Sequence, residues 1–207
     1  SSFRFRFNGR IYFPISITMG KYFWRVASID STGSNSYSDW SEIRNFRAII
    51  SVIGTSDLTS GTVSLAVNNS LRDETGTISN DGTWFVDMAI EPSIGDSITV
   101  FISDASTSNV STAVTTYSGS FVQGMLLDKH TFSIGSSENC NITLNDLSKY
   151  DYDKDNSHIL HNVSGSPTTL LCNYYSDQKI KILSGNTLTI GTSETITAQT
   201  VYIEGSL

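Results

Sequence analysis

The sequence predicts an all-β protein, and three observations predict it. Apolar and polar residues alternate with period two in several short runs, "FRFRF" and "TVSLAV" among them, which is how a strand with one buried face is written. Gly, Asn and Asp turn signals punctuate these runs roughly every ten residues. No stretch sustains the apolar spacing of a long helix, and at 38% apolar and 16% charged the composition suits thin β-cores with Ser, Thr, Asn and Gly between them.

Residues 1–47 form the first expected unit. Phe3, Phe5 and Phe7 point one way and Arg4 and Arg6 the other, a strand suited to docking. Asn8-Gly9 is a turn signal, after which Ile11 to Ile17 reads as a second strand. A third strand begins at Tyr22, with Tyr22, Trp24 and Val26 on one face; a loop follows and "YSDWSEIRNF" closes the unit.

The stretch "GKYFWRVASIDSTGSNSYSDWSEIRNF" resembles the C-terminal half of a fibronectin type III domain. Tyr22 sits where that family has its tyrosine-corner residue, and residues 37–41 resemble its aromatic-Ser-x-Trp-Ser signature. The resemblance implies a partial sandwich in which Trp40 stacks on the Arg25 guanidinium, worth about 0.5–1 kcal/mol at an exposed site. The family's first strands have no counterpart here. They are expected either in sequence ahead of Ser1 or from a neighbouring molecule.

Residues 48–117 read as a small Ig-like β-sandwich. Val63, Leu65 and Val67 alternate, Asn80-Asp81-Gly82 turns the chain into "TWFVDM", and Gly95-Asp96 turns it into Ile98, Val100 and Ile102. Residues 118–179 are β-rich with an acidic loop. In 180–207 the pairs Ile180/Ile182, Leu188/Ile190 and Val201/Ile203, with Ile196 between, recur at the intervals of β-solenoid rungs. Extra sandwich strands are the alternative for this tail. No cap follows Ile203, so this end too is expected to be continued or completed by another molecule.

The pieces "DGTWFVDM", "GDSITVFIS", "ITLNDLSKYDYDKD" and "HNVSG" resemble a repeat of large secreted bacterial surface proteins. That resemblance covers residues 50–207. It implies an adhesin-like, extracellular, repetitive chain and no catalytic set, and the incomplete ends add the expectation of a homo-oligomer or of repeats of the same protein.

Charge and motifs narrow the classes further. Residues 1–47 hold seven basic and three acidic side chains, a net of +4, and the remainder holds six and seventeen, a net of −11. Head-to-tail attraction between copies is one consequence. The acidic bulk argues against nucleic acid, and no apolar run is long enough for a transmembrane helix. Nucleotide-cradling and hydrolase-elbow motifs are absent, so no enzyme is expected.

A few residues are candidates for chemistry. Asp151, Asp153 and Asp155 alternate as calcium ligands do, but Lys154 opposes the ion and Asn156 stands where an EF-hand has Gly. The alternative is a solvated acidic turn with no cofactor. Cys140 and Cys172 leave two arrangements open, one disulfide or two buried thiols. His130, His158 and His161 are expected in surface loops. Trp84, Tyr117, Tyr174 and Tyr175 are either a glycan-binding platform or core aromatics. Asn68, Asn109, Asn141 and Asn162 lie in N-glycosylation sequons.

Overall fold

The computed structural model describes residues 20–25, 27, 38–103, 109–151 and 159–207. The chain divides into two compact units, Ser1–Ile49 and Ile50–Leu207. In the first, β1 (Gly20–Trp24) and β2 (Arg44–Ala48) pair antiparallel with Tyr22 opposite Phe46. The strands expected at 3–7 and 11–17 lie outside the described residues.

The second unit opens with β3 (Ile50–Thr55), β4 (Thr62–Val67), β5 (Ser70–Thr77), β6 (Thr83–Met88), β7 (Ser97–Ile102) and β8 (Thr112–Thr116). Then come β9 (Val122–Leu126), β10 (Thr131–Ile134) and β11 (Asn141–Thr143). A short 3-10 helix, Asn145–Lys149, precedes β12 (Asn162–Ser164) and β13 (Thr169–Cys172). The chain ends with β14 (Lys179–Ile182), β15 (Thr187–Thr189), β16 (Thr195–Ala198) and β17 (Thr200–Ile203).

The first half is a β-sandwich. A three-stranded sheet, β6-β3-β9, faces a seven-stranded one, β17-β14-β10-β8-β7-β4-β5. Val52, Trp84, Val86 and Met125 from one side meet Val63, Leu65, Ile98 and Val100 from the other. The alternating triplets therefore point inward as their period requires. Trp84 is the largest of these side chains, and its ring lies over Gly54 on the neighbouring strand. A Cβ at Gly54 would stand 2.2 Å from the ring. The indole Nε1–H donates to the Thr55 carbonyl at 3.1 Å, which satisfies its one polar group.

The turn at 79–82 does something its sequence does not announce. Gly82, at φ +80°, donates to Ser79, and the Asp81 carboxylate accepts from the Thr83 backbone and hydroxyl. Yet β5 pairs with β4 and β6 with β3, so this turn carries the chain from one sheet to the other instead of closing a paired hairpin.

The second half is a stack of parallel rungs. β8, β10, β14 and β17 run parallel side by side, as do β11 with β15 and β13 with β16. One circuit is β14-β15-β16, after which β17 returns onto β14. A rung thus takes about 20 residues, the short end of solenoid repeats. The circuit before it, β10-β11-β13, is longer because the 3-10 helix, residues 152–158 and β12 are inserted after β11. Phe132, Ile134, Ile142, Leu170, Ile180, Ile182 and Leu188 fill the interior.

The arrangement runs across residues 117 and 179. The seven-stranded sheet crosses both, and residues 118–179 already belong to the stack. β8 explains how. Its Ala113, followed by Tyr117, packs into the sandwich core, while Val114, preceded by Val110, packs into the core of the stack. Its hydroxyls are used as well: Thr112 Oγ1 accepts from Leu160 N at 2.9 Å and Thr116 Oγ1 bonds Tyr150 Oη at 2.9 Å. On β7, Ser97 and Thr99 donate to the carbonyls of Lys149 and Tyr150. Ser97, Thr99, Thr112 and Thr116 thus form a hydrogen-bonded seam between the two halves.

Candidate functional site

The seven-stranded sheet has two edges of different chemistry. At one, β5 carries Arg72, Asp73 and Glu74, charges of the kind that discourage strand addition. At the other, β17 reads Thr-Val-Tyr-Ile and every residue is exposed. The register makes the contrast sharp. Val201 continues the column Phe132–Ile180, and Ile203 continues Ile134–Ile182. The four inner members are 0% exposed, whereas Val201 is 40% and Ile203 48% exposed. Among the described residues no strand lies on the outer edge of β17.

Beside this edge, on the opposite face of the same strands, is a cleft lined by Asp128, Thr131, Lys179, Lys181, Tyr202 and Glu204. Strand alternation puts them there: where Ile180, Ile182, Val201 and Ile203 turn inward, Lys179, Lys181 and Tyr202 turn outward. Lys181 aligns with Tyr202 across the rungs, and its Nζ lies 3.1 Å from Glu204 Oε1. Asp128 forms one wall. Its Oδ1 accepts from the Asp57 backbone, and Asp57 in turn accepts from Lys129 N at 2.8 Å, so two loops clasp each other. Burial and the nearby Asp57 raise the Asp128 carboxyl above its ordinary value, while Lys181 and Lys179 pull it back.

The other expected site residues are scattered. Cys140 and Cys172 are both buried free thiols, so the disulfide arrangement is not the one observed. Each has its own surroundings: Cys140 bonds to Thr115 and the Thr116 backbone, and Cys172 sits in the apolar interior. Burial raises both thiols above their ordinary value. Of the calcium candidates, Asp151 is buried, whereas Asp153 and Asp155 lie outside the described residues. The described residues contain no group of three or more His, Cys, Asp or Glu arranged to hold a metal ion. The strand Phe3, Arg4, Phe5, Arg6, Phe7 also lies outside them. In the first unit the Arg25 guanidinium carbon stands 4.5 Å from the Trp40 ring centroid.

Two histidines depart from the surface-loop expectation. His130 is buried, its ring stacked on Tyr175 at 4.2 Å and its Nδ1 2.6 Å from Asp177 Oδ1. His161 is fully buried, stacked on Phe132 at 4.3 Å with Nε2 bonded to the Leu147 carbonyl. His158 lies outside the described residues. Trp84 and Tyr117 are core aromatics, not a platform, and Tyr175 is engaged with His130; Tyr174 is exposed. Asn68 spends its side-chain amide on Asp96 and Ser97, so a glycan there would displace a structural bond. The cleft went unread in the sequence because its members come from three rungs. The registers Thr131–Lys179 and Lys181–Tyr202, each one rung apart, join them.

No family model, curated protein or solved structure matches the chain. The resemblances to fibronectin type III domains and to surface-protein repeats rest on the residues quoted for them. No helix among the described residues is long and apolar enough to cross a membrane.

Proposed function

We propose that the chain is a structural module of an extracellular, adhesin-like bacterial surface protein or fibre, extended by adding β-strands to the open rung at β17. The observation that carries this is the pair of interior columns that end half-exposed at Val201 and Ile203. Covering two half-exposed aliphatic side chains contributes on the order of 1 kcal/mol each, at about 25 cal/mol per Å². The unpaired backbone of β17 supplies a template for the added strand. Whether the next rung comes from a repeat of the same protein or from a second copy, the 207-residue chain presents the surface that would receive it. The charge split supports head-to-tail order, since the basic first unit and the acidic remainder attract.

Electron micrographs of the purified chain at rising concentration test this. Stacked rods or short filaments are expected, favoured at low ionic strength. Isolated particles at every concentration and salt would count against the proposal.

A second reading, a glycan-binding accessory module of a larger secreted protein, is supported by the cleft at Lys179, Lys181 and Tyr202. Both readings place the chain outside the cell and give it no catalytic role.

A further inference from the structure

We infer that the cleft on the outer face of β10, β14 and β17 binds a neutral, hydroxyl-rich ligand, a saccharide without carboxylate, sulfate or amino groups. This rests on the glycan-binding reading and names the ligand class that reading leaves open.

The argument starts from the charges. The cleft holds two ammonium groups, Lys179 and Lys181, and two carboxylates, Asp128 and Glu204, so its formal charge is zero. The signs are interleaved. Glu204 sits 3.1 Å from Lys181, and Asp128 feels both lysines. A polyanion entering here would meet Asp128 and Glu204 as well as the lysines, and a polycation would meet the lysines. Neither gains from long-range attraction. A hydroxyl group both donates and accepts, so vicinal hydroxyls match a surface on which carboxylate acceptors and ammonium donors alternate. Thr131, at the base of the cleft, is buried and donates its hydroxyl to the Lys129 carbonyl at 3.1 Å, so it holds the wall in place.

The remaining member is apolar. Tyr202 is 50% exposed and lines the cleft, so it brings an aromatic ring with a polar hydroxyl to the site. An amphipathic aromatic of this kind covers the C–H face of a sugar ring while its hydroxyl stays wet. The volume, about 300 Å³, lies at the lower end of small-ligand sites. The scaffold is stiff where it matters. Lys179 and Lys181 belong to a strand paired on both sides, and Asp128 is fixed by the clasp with Asp57. The site therefore needs little ordering when a ligand arrives.

Titration calorimetry of the full 207-residue chain tests this with three probes: a neutral panel of cello-, xylo-, manno- and malto-hexaose, oligogalacturonate as the anionic counterpart, and chitosan hexamer as the cationic one. The expected result is that at least one neutral hexaose binds, with an affinity unchanged between 50 and 500 mM salt. Tyr202→Ala should weaken it about tenfold or more, and Lys179→Ala about threefold or more, with far-ultraviolet dichroism unchanged in both variants. Binding only of the charged probes, abolished by salt, would overturn the neutral class while leaving the glycan reading. No binding by any saccharide would overturn both. Neutral binding that Tyr202→Ala and Lys179→Ala leave intact would move the site elsewhere and overturn this assignment.

Discussion

At the scale of single residues, the sequence was most legible where one side chain has one environment. Val63, Leu65, Val67, Ile98, Val100 and Ile102 were placed inward by alternation alone, and all six are buried. Trp84 was ambiguous because a tryptophan on an alternating strand looks the same whether it faces a core or a ligand. What decides it is Gly54, whose missing side chain makes room for the indole. Trp84→Ala should therefore cost about 3–5 kcal/mol of stability, measured by urea denaturation, with no effect on saccharide binding. A binding platform would show the reverse. Tyr150 gives a second test. Burial raises its phenol to about 12, and the thiols of Cys140 and Cys172 are raised for the same reason. These groups stay neutral in the folded chain at pH values where the unfolded chain ionises them. Their stabilisation is complete below about pH 7.5; the thiols' share is lost first, from about pH 8 upward, and the tyrosine alone then removes about 1.4 kcal/mol per pH unit between roughly pH 10 and 12. The thermal midpoint should hold steady up to about pH 7.5, begin to fall above about pH 8 and fall more steeply above about pH 10.

At the scale of elements, strands were legible and their partners were not. A period of two fixes which face is buried, but pairing depends on which strand the chain meets in three dimensions. The turn at 79–82 shows the limit: its residues specify the bend, while the sheets on either side decide that it links two layers. The insertion after β11 hid the first circuit for a related reason, because the rung repeat is interrupted there and resumes only at β13. β8 is hard to read because "TAVTT" is apolar on neither face alone: Thr112 is buried and bonded to Leu160, and Thr116 is half-buried against Tyr150. Since β8 serves both cores, damage to one should be felt in the other. Phe132→Ala, in the stack, should lower stability by about 3–5 kcal/mol and shift the unfolding reported by Trp84, in the sandwich, by the same amount. Fluorescence with Trp24 and Trp40 replaced by Phe isolates that signal. A Trp84 transition that stays in place would mean the two cores unfold independently.

At the scale of the whole molecule, the all-β class was open to reading from composition and rhythm. The fusion of sandwich and stack into one sheet was not, since it depends on a register between residues as distant as Thr112, Phe132, Ile180 and Val201. That sheet gives the second unit one guarded edge and one open edge, and the proposed role follows from the difference. Sedimentation velocity of the chain beside a Val201→Lys, Ile203→Lys double variant measures this most directly. The account predicts that the parent associates as its concentration rises, that the variant remains a monomer, and that both melt at similar temperatures because neither position is in the closed core. A parent that stays monomeric throughout, or a variant that associates as strongly as the parent, would contradict it.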